Sequence, residues 1–341
     1  MAGRRVGRYE IVGELGRGAT ATVYLAHQTG LERQVALKEL KRELVGDPTV
    51  AERFLLEAQL AGTLAHPNVV TVYDFFEHRG LPYIAMEHLE RGSLRPFVGR
   101  LDLREVFTVL EGLLAGLAHA ETKQVVHRDL KPENLMVTDT SSIKITDFGI
   151  AKALRSSHLT DTGTVVGSPA YIAPERALGK GAGPLSDLYS VGIIAYELLA
   201  GAPPFLDTEP AAIVLQQVHA PVHPLDAKRP DLPGGLAEWV HRLLEKDPAD
   251  RPQGAAVAWA ELEPIVLDHR RPRPRERPEP AKVVVSALLH PVNLLVPLAV
   301  LAVGLAIDAL WLVPVAVVAF AALAVISIRE ALGRTREEGR G

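Results

Sequence analysis

The sequence predicts an α+β fold that ends in a pair of apolar helices, and three observations carry that expectation. Short apolar runs, Gln124-Val125-Val126, Leu135-Met136-Val137 and the alternating Ile143-Lys144-Ile145, bracket a polar loop and read as strands that deliver side chains to one cleft. Arg53-Phe54-Leu55-Leu56-Glu57-Ala58 opens a helix-like segment that ends near His66-Pro67. From Val283 to Ile328 the only formally charged residue is Asp308, a length beyond what one membrane span of about 20 residues needs.

The polar loop is His127-Arg128-Asp129-Leu130-Lys131-Pro132-Glu133-Asn134, followed by Asp147-Phe148-Gly149. Within one loop and one hairpin it places a carboxylate for a hydroxyl nucleophile, a cation for a phosphate, and an amide and a second carboxylate for magnesium. A lone His-Arg-Asp would be an ordinary solvated loop, whereas eight residues in register form a set suited to phosphoryl transfer. Upstream, Gly16-Arg17-Gly18-Ala19-Thr20-Ala21-Thr22-Val23 reads as a glycine-rich turn between two strands. Gly16 and Gly18 lack Cβ, so its backbone can approach a phosphate closely.

From Tyr9 to Leu267 these motifs resemble those of a eukaryotic-type (Hanks-type) bacterial serine/threonine protein kinase of the membrane-anchored kind. The third glycine of the family pattern is Ala21 here. The resemblance implies a bilobal protein kinase fold, with a small β-rich lobe over about 9–88 and a larger helical lobe over about 89–267. It implies ATP and Mg2+ as cofactors, with Mn2+ as a substitute, and proteins with Ser/Thr acceptors as substrates. Lys38, closing Val35-Ala36-Leu37-Lys38, becomes the ligand of the α- and β-phosphates, and Glu57 its carboxylate partner, with Glu52 as the competing candidate. Tyr83 to Leu89 becomes a buried strand running into the hinge. Glu87 and Leu89 would meet the adenine edge there, Met86 would be the gatekeeper, and Leu15, Val23, Ala36 and Leu135 would sandwich the ring.

In the catalytic loop the resemblance makes Asp129 the group that orients the hydroxyl and accepts its proton. Lys131 would approach the γ-phosphate, and Asn134 and Asp147 would hold magnesium. Ala173-Pro174-Glu175 resembles the activation-segment anchor, with Arg251 as the buried partner of Glu175. Asp187 would brace the catalytic loop, and Tyr189 stands where many relatives carry Trp. Arg128 beside Asp129 marks control by activation-loop phosphorylation, on Thr160 or Thr162 ahead of Gly167-Ser168-Pro169, and self-association would permit phosphorylation in trans. Two rival readings stay open. A pseudokinase scaffold would bind partners without transfer, and a small-molecule phosphotransferase would typically lack Lys131 and the Ala173-Pro174-Glu175 segment.

The remaining features bound the surroundings. A length of 341 residues allows about two domains, and a net charge of −4 argues against a nucleic-acid partner. The absence of cysteine leaves no disulfide framework, and residues 1–8 form a short extension with no signal-peptide pattern. An Ala/Leu/Arg/Gly-rich composition has an actinobacterial flavour. Residues 268–287 form a linker in which arginines alternate with prolines, read as extended. Two transmembrane helices over 288–328, roughly Leu288 to Ile307 and Ala309 to Ile328, would form a hairpin with its turn at Asp308. Basic residues flank both ends of the hairpin, and the tail 329–341 is itself basic. The expectation is a multi-pass cell-membrane protein with its catalytic part in the cytosol and lipid as a partner.

Overall fold

The computed structural model describes residues 3–148 and 169–271 and, towards the C-terminus, 295, 297–299, 301–303 and 312–337. The chain divides into two units, Met1–Arg271 and Pro272–Gly341.

In the first unit, strands β1 (Arg5–Val6), β2 (Tyr9–Arg17), β3 (Ala21–Gln28), β4 (Arg33–Leu40), β5 (Val72–His78) and β6 (Leu81–Glu87) form one antiparallel sheet in the order β1-β2-β3-β4-β6-β5. β4 is central and covered on both faces, so Val35, Ala36, Leu37 and Lys38 are all buried. One face packs Tyr9, Ile11, Tyr24 and Leu37 under stacked Tyr9, Phe76 and Tyr83 rings, whose centroids are 5.2 and 5.3 Å apart. The other face takes Phe54 and Ala58 of helix α1 (Pro48–Thr63) against Leu40 and Ile84. α1 starts five residues before the helix-like segment read from the sequence. Pro48 at its first position and Asp47, whose side chain accepts from the Thr49 N–H at 2.9 Å, cap that end.

The larger lobe is built on α2 (Leu103–Thr122) and α4 (Pro184–Ala200), with α3 (Pro174–Ala177) before α4 and α5 (Pro210–His219), α6 (Leu225–Lys228), α7 (Leu236–Leu243) and α8 (Ala255–Arg270) after it. Asp102 and Glu105 cap α2 reciprocally, at 2.8 and 3.0 Å. α4 is buried on all sides from Ser186 to Leu199, as expected of a helix with almost no polar face. Under the cleft, the hairpin β7 (Leu135–Val137) and β8 (Ile143–Ile145) lies on α2. That approach needs Gly116, where an added Cβ would sit 2.8 Å from Ile145 Cδ1 and 3.0 Å from the Asn68 carbonyl.

Gln124-Val125-Val126 is not a strand. The chain leaves α2 in a tight turn in which Gln124 has φ 57° and the Val125 N–H returns to the Ala120 carbonyl at 2.9 Å, so these amides close a helix end rather than a ladder. In the second unit a helix spans Leu312–Glu337. Among the described residues no helix is long and apolar enough to cross a membrane. Most of the first expected span, and the turn at Asp308, lie outside the described residues.

One ion pair fastens the larger lobe. The buried Arg251 guanidinium donates to both Glu175 carboxylate oxygens at 3.0 and 2.9 Å and to the carbonyls of Leu185, Glu245 and Lys246, which uses every N–H it has. Burial would raise the Glu175 pKa, but Arg251 and the Ser186 hydroxyl, 2.6 Å away, outweigh it and hold the group below its usual range. Glu175→Ala strands a buried cation and should cost roughly 3–5 kcal/mol in urea denaturation at neutral pH. Because the folded pKa lies below the unfolded one, the wild-type advantage should be full above the ordinary carboxylate range and shrink as pH falls through the folded value.

Candidate active site

Lys38 sits mid-strand on β4, paired in register with Ile84 of β6. Its ammonium is 2.5 Å from Glu57 on α1 and 2.9 Å from Asp147, so one cation joins the sheet, the helix and the larger lobe. Glu57 therefore takes the place for which Glu52 competed, and Glu52 is exposed. Burial alone would lower the Lys38 pKa, but the carboxylates of Asp147 and Glu57 outweigh it and raise it. Asp147 is opposed by burial and held down by Lys38, whereas desolvation wins at Glu57 and pushes it up.

The catalytic-loop backbone is held from below. Asp187, at the start of α4, accepts from the N–H groups of His127 at 2.6 Å and Arg128 at 2.8 Å. This carboxylate is buried, and desolvation raises its pKa against those two hydrogen bonds. The His127 ring is fully buried against Phe148, with centroids 4.8 Å apart. Its Nδ1 accepts the Asp129 N–H at 3.2 Å, which leaves Nε2 to donate to the Thr146 carbonyl at 2.9 Å. The Asn134 amide donates to the Asp129 carbonyl at 2.8 Å, and Lys131 Nζ lies 3.2 Å from Asp129 Oδ2. Arg128 and Asp147 have φ of 69° and 57°, left-handed values costly for side chains of this size and kept here by their surroundings.

Above the loop, the turn between β2 and β3 closes through a bond from the Gly18 N–H to the Ala21 carbonyl at 2.9 Å. An added Cβ at Gly16 would meet nothing within 4 Å, and at Gly18 only the Ala21 carbonyl at 3.6 Å. Neither glycine is required by crowding within the chain, so the open space suits a group from outside it. Ala36, Val70 and Met86 form an apolar floor with Val23, Val72, Leu89 and Met136 packed on it, and Leu15 is half exposed above. Glu87, at the end of β6, pairs with Lys144 at 2.8 Å.

Leu135 does not belong to this pocket. It and Val137 are buried in the core of the larger lobe, and strand alternation gives Met136 the cleft side. Reading the period of two from the hairpin core would have found Met136. Thr160 and Thr162 lie outside the described residues. Two features carry no local sequence signal. One is a groove whose lining includes Glu52, Arg53, Leu56, Lys123 and Arg128, and the Nε atoms of Arg53 and Arg128 are buried without a hydrogen-bond partner. The other is a network joining Arg95, Glu133, Tyr171 and Glu197.

A sheet-borne lysine paired to a helix glutamate, above a braced loop bearing Asp129, Lys131 and Asn134, is the site architecture of a protein kinase. Residues 9–261 match the family described as the protein kinase domain, and the chain belongs to that family. It is 37% identical over 266 residues to the serine/threonine-protein kinase PrkC of Bacillus subtilis, covering 77% of this chain and 41% of that protein. It is 36% identical over 290 residues to PknA of Mycobacterium tuberculosis, covering 83% and 67%. A probable serine/threonine-protein kinase of Streptomyces coelicolor is 40% identical over 266 residues, covering 75% and 40%. The crystal structure of the Mycobacterium tuberculosis PknI kinase domain superposes with a TM-score of 0.60 at 29% identity, over 77% of this chain and 98% of that one. The chain thus spans about two fifths to two thirds of the length of these full-length relatives.

Proposed function

We propose that this chain is a serine/threonine protein kinase, transferring the γ-phosphoryl group of ATP to hydroxyls of protein substrates, itself among them. The observation that carries the reading is the Lys38 ammonium held between Glu57 and Asp147 over a catalytic loop whose Asp129 backbone is fixed at both its N–H and its carbonyl. A scaffold that only bound partners would not need this alignment.

The chemistry follows from placement. Phosphoryl transfer passes through a loose transition state, so positioning and electrostatics supply most of the catalysis. Asp129 orients the acceptor hydroxyl and takes its proton, and Lys131 offers a cation to the transferred group. Lys38 would hold the α- and β-phosphates, and Ala36, Met86, Leu89 and Met136 the adenine. Asn134 spends its amide N–H on the loop, which leaves its oxygen for a hard cation beside the Asp147 carboxylate. Two protein oxygens suit Mg2+, which keeps waters and takes phosphate oxygens. When bound there, it would neutralise charge on the phosphates.

Regulation and location extend the reading. Phosphate on Thr160 or Thr162 would bring roughly −1.5 to −2 charges, and the groove lined by Arg53, Lys123 and Arg128, with Glu52 its one carboxylate among the described residues, has the positive surplus to receive them. The Arg-rich linker and the apolar stretch after it support anchoring as a membrane hairpin, with the kinase part and the tail on the cytosolic side.

Asp129→Asn should lower phosphoryl transfer by roughly 10²–10⁴ while ATP affinity stays near wild type. Unimpaired autophosphorylation in that variant would sink the assignment. Changing Thr160 and Thr162 together to Ala should lower activity toward a basic protein by about tenfold, the scale of one or two lost charge-assisted hydrogen bonds. Peptide mapping that found active enzyme unmodified at both sites would refute loop control. The chain has no native cysteine, so topology can be read directly. Asp308→Cys should react with a membrane-impermeant thiol reagent on intact cells, and Gly339→Cys only after lysis. Labelling of Gly339→Cys from outside would exclude the hairpin.

A further inference from the structure

Beside the catalytic loop, two carboxylates and a phenol converge on a single guanidinium. Arg95 Nε donates to Glu133 Oε1 at 2.7 Å, with Nη2 on Oε2 at 3.4 Å. Nη1 donates to Glu197 Oε1 at 2.6 Å, and Nη2 also to the Tyr171 hydroxyl at 2.5 Å. Tyr171 in turn donates to Glu197 Oε2 at 2.6 Å. The Glu197 side chain is only 4% exposed, so its charge demands a partner, while Arg95 and Glu133 reach the surface at 35% and 46%. Glu133 follows Lys131 by two residues on the loop that carries Asp129. Glu133 lies four residues beyond Asp129, so a polypeptide presenting a hydroxyl to Asp129 would carry some of its neighbouring residues near this edge.

We infer that Arg95 is a specificity-determining residue, which fills from within the chain a guanidinium site made by Glu133, Glu197 and Tyr171 and so keeps the enzyme from selecting a basic residue in its protein substrate. The inference rests on the protein kinase reading above. The fork of hydrogen bonds around Arg95 is the arrangement that recognises arginine wherever carboxylates do so. With that site occupied, an incoming arginine finds only the solvent side of Glu133. An exposed ion pair of that kind discriminates by about fivefold at most. Emptied of Arg95, the site would offer a substrate arginine the same fork.

The test compares full-length wild type and Arg95→Ala on serine peptides in which Arg or Gln is walked through the positions flanking the acceptor. Wild type should show kcat/KM ratios within about fivefold at every position. Arg95→Ala should gain a preference for Arg of about tenfold or more at one position, and adding Glu133→Gln should remove it. Thermal melts give a readout independent of turnover. Millimolar methylguanidinium, compared with methylammonium at equal ionic strength, should raise the melting temperature of Arg95→Ala and leave wild type unchanged. A wild type that already selects Arg, and loses that preference in Arg95→Ala, overturns the inference. So does an Arg95→Ala protein with wild-type ratios and no response to methylguanidinium. Should the alanine variant not fold, Arg95→Lys, which cannot span both carboxylates, must show an intermediate ratio at the same position, and an unchanged ratio overturns the proposal. A wild type that phosphorylates no peptide sinks the kinase reading instead, and the melts still decide the role of Arg95.

Discussion

Lys38 is a cation inside a strand covered on both faces, and much of the small lobe is arranged so that it stays charged. A buried ammonium without partners would lose its proton or unfold the strand, because desolvation costs far more than one exposed ion pair returns. The chain answers with two carboxylates from different places, Glu57 on α1 and Asp147 at the end of the β7–β8 hairpin segment. Each is separated from Lys38 by many residues, so the pairing forms only when the sheet, the helix and the larger lobe are correctly placed. The same electrostatic demand that threatens stability thus becomes a check on geometry.

The larger lobe repeats this logic with the sign reversed. α4 is apolar almost throughout, yet it carries Asp187 and Glu197 into the core. Asp187 is satisfied by two backbone N–H groups of the catalytic loop, and Glu197 by Arg95 and Tyr171. Each carboxylate is one end of a bond whose other end is a piece of chemistry or its rim. The loop bearing Asp129 is therefore held twice, by Asp187 of a buried helix from below and by its own bonds from His127 and Asn134.

Sequence and structure part company where contacts are long-range. The loop residues 127–134 were legible because eight residue types stand in register, whereas Lys38 and the hinge strand were legible only through the family resemblance, and the strand read as ending at Lys38 runs on to Leu40. Glu57 and Glu52 could not be separated by type, since both are glutamates of one helix-like segment; only the face of α1 turned to the sheet decides. Leu135 was misplaced by one residue, and in a strand one residue is the whole difference between core and cleft. Gln124 to Val126 is apolar enough for a strand, but the closure of α2 claims its amides first. Arg95 and Glu197 stand 102 residues apart, and no periodicity links them.

The groove beneath α1 shows how the electrostatics of the two lobes can be joined. Arg53 and Glu57 are four residues apart, so they occupy one side of the helix a single turn from each other. Glu57 reaches Lys38, while Arg53, whose Nε is buried without a hydrogen-bond partner, lines the groove shared with Arg128 of the catalytic loop. An anion received by both guanidiniums would tie α1 to the loop that Asp187 already fixes. It would hold Glu57 against Lys38 through the rigidity of one helical turn. Without such an anion, the groove sets, among the described residues, the cations of Arg53, Lys123 and Arg128 against the single carboxylate of Glu52, a surplus of positive charge that favours movement of α1 away from the loop. The ion pair at Lys38 and the charge state of the groove are therefore two ends of one rigid element.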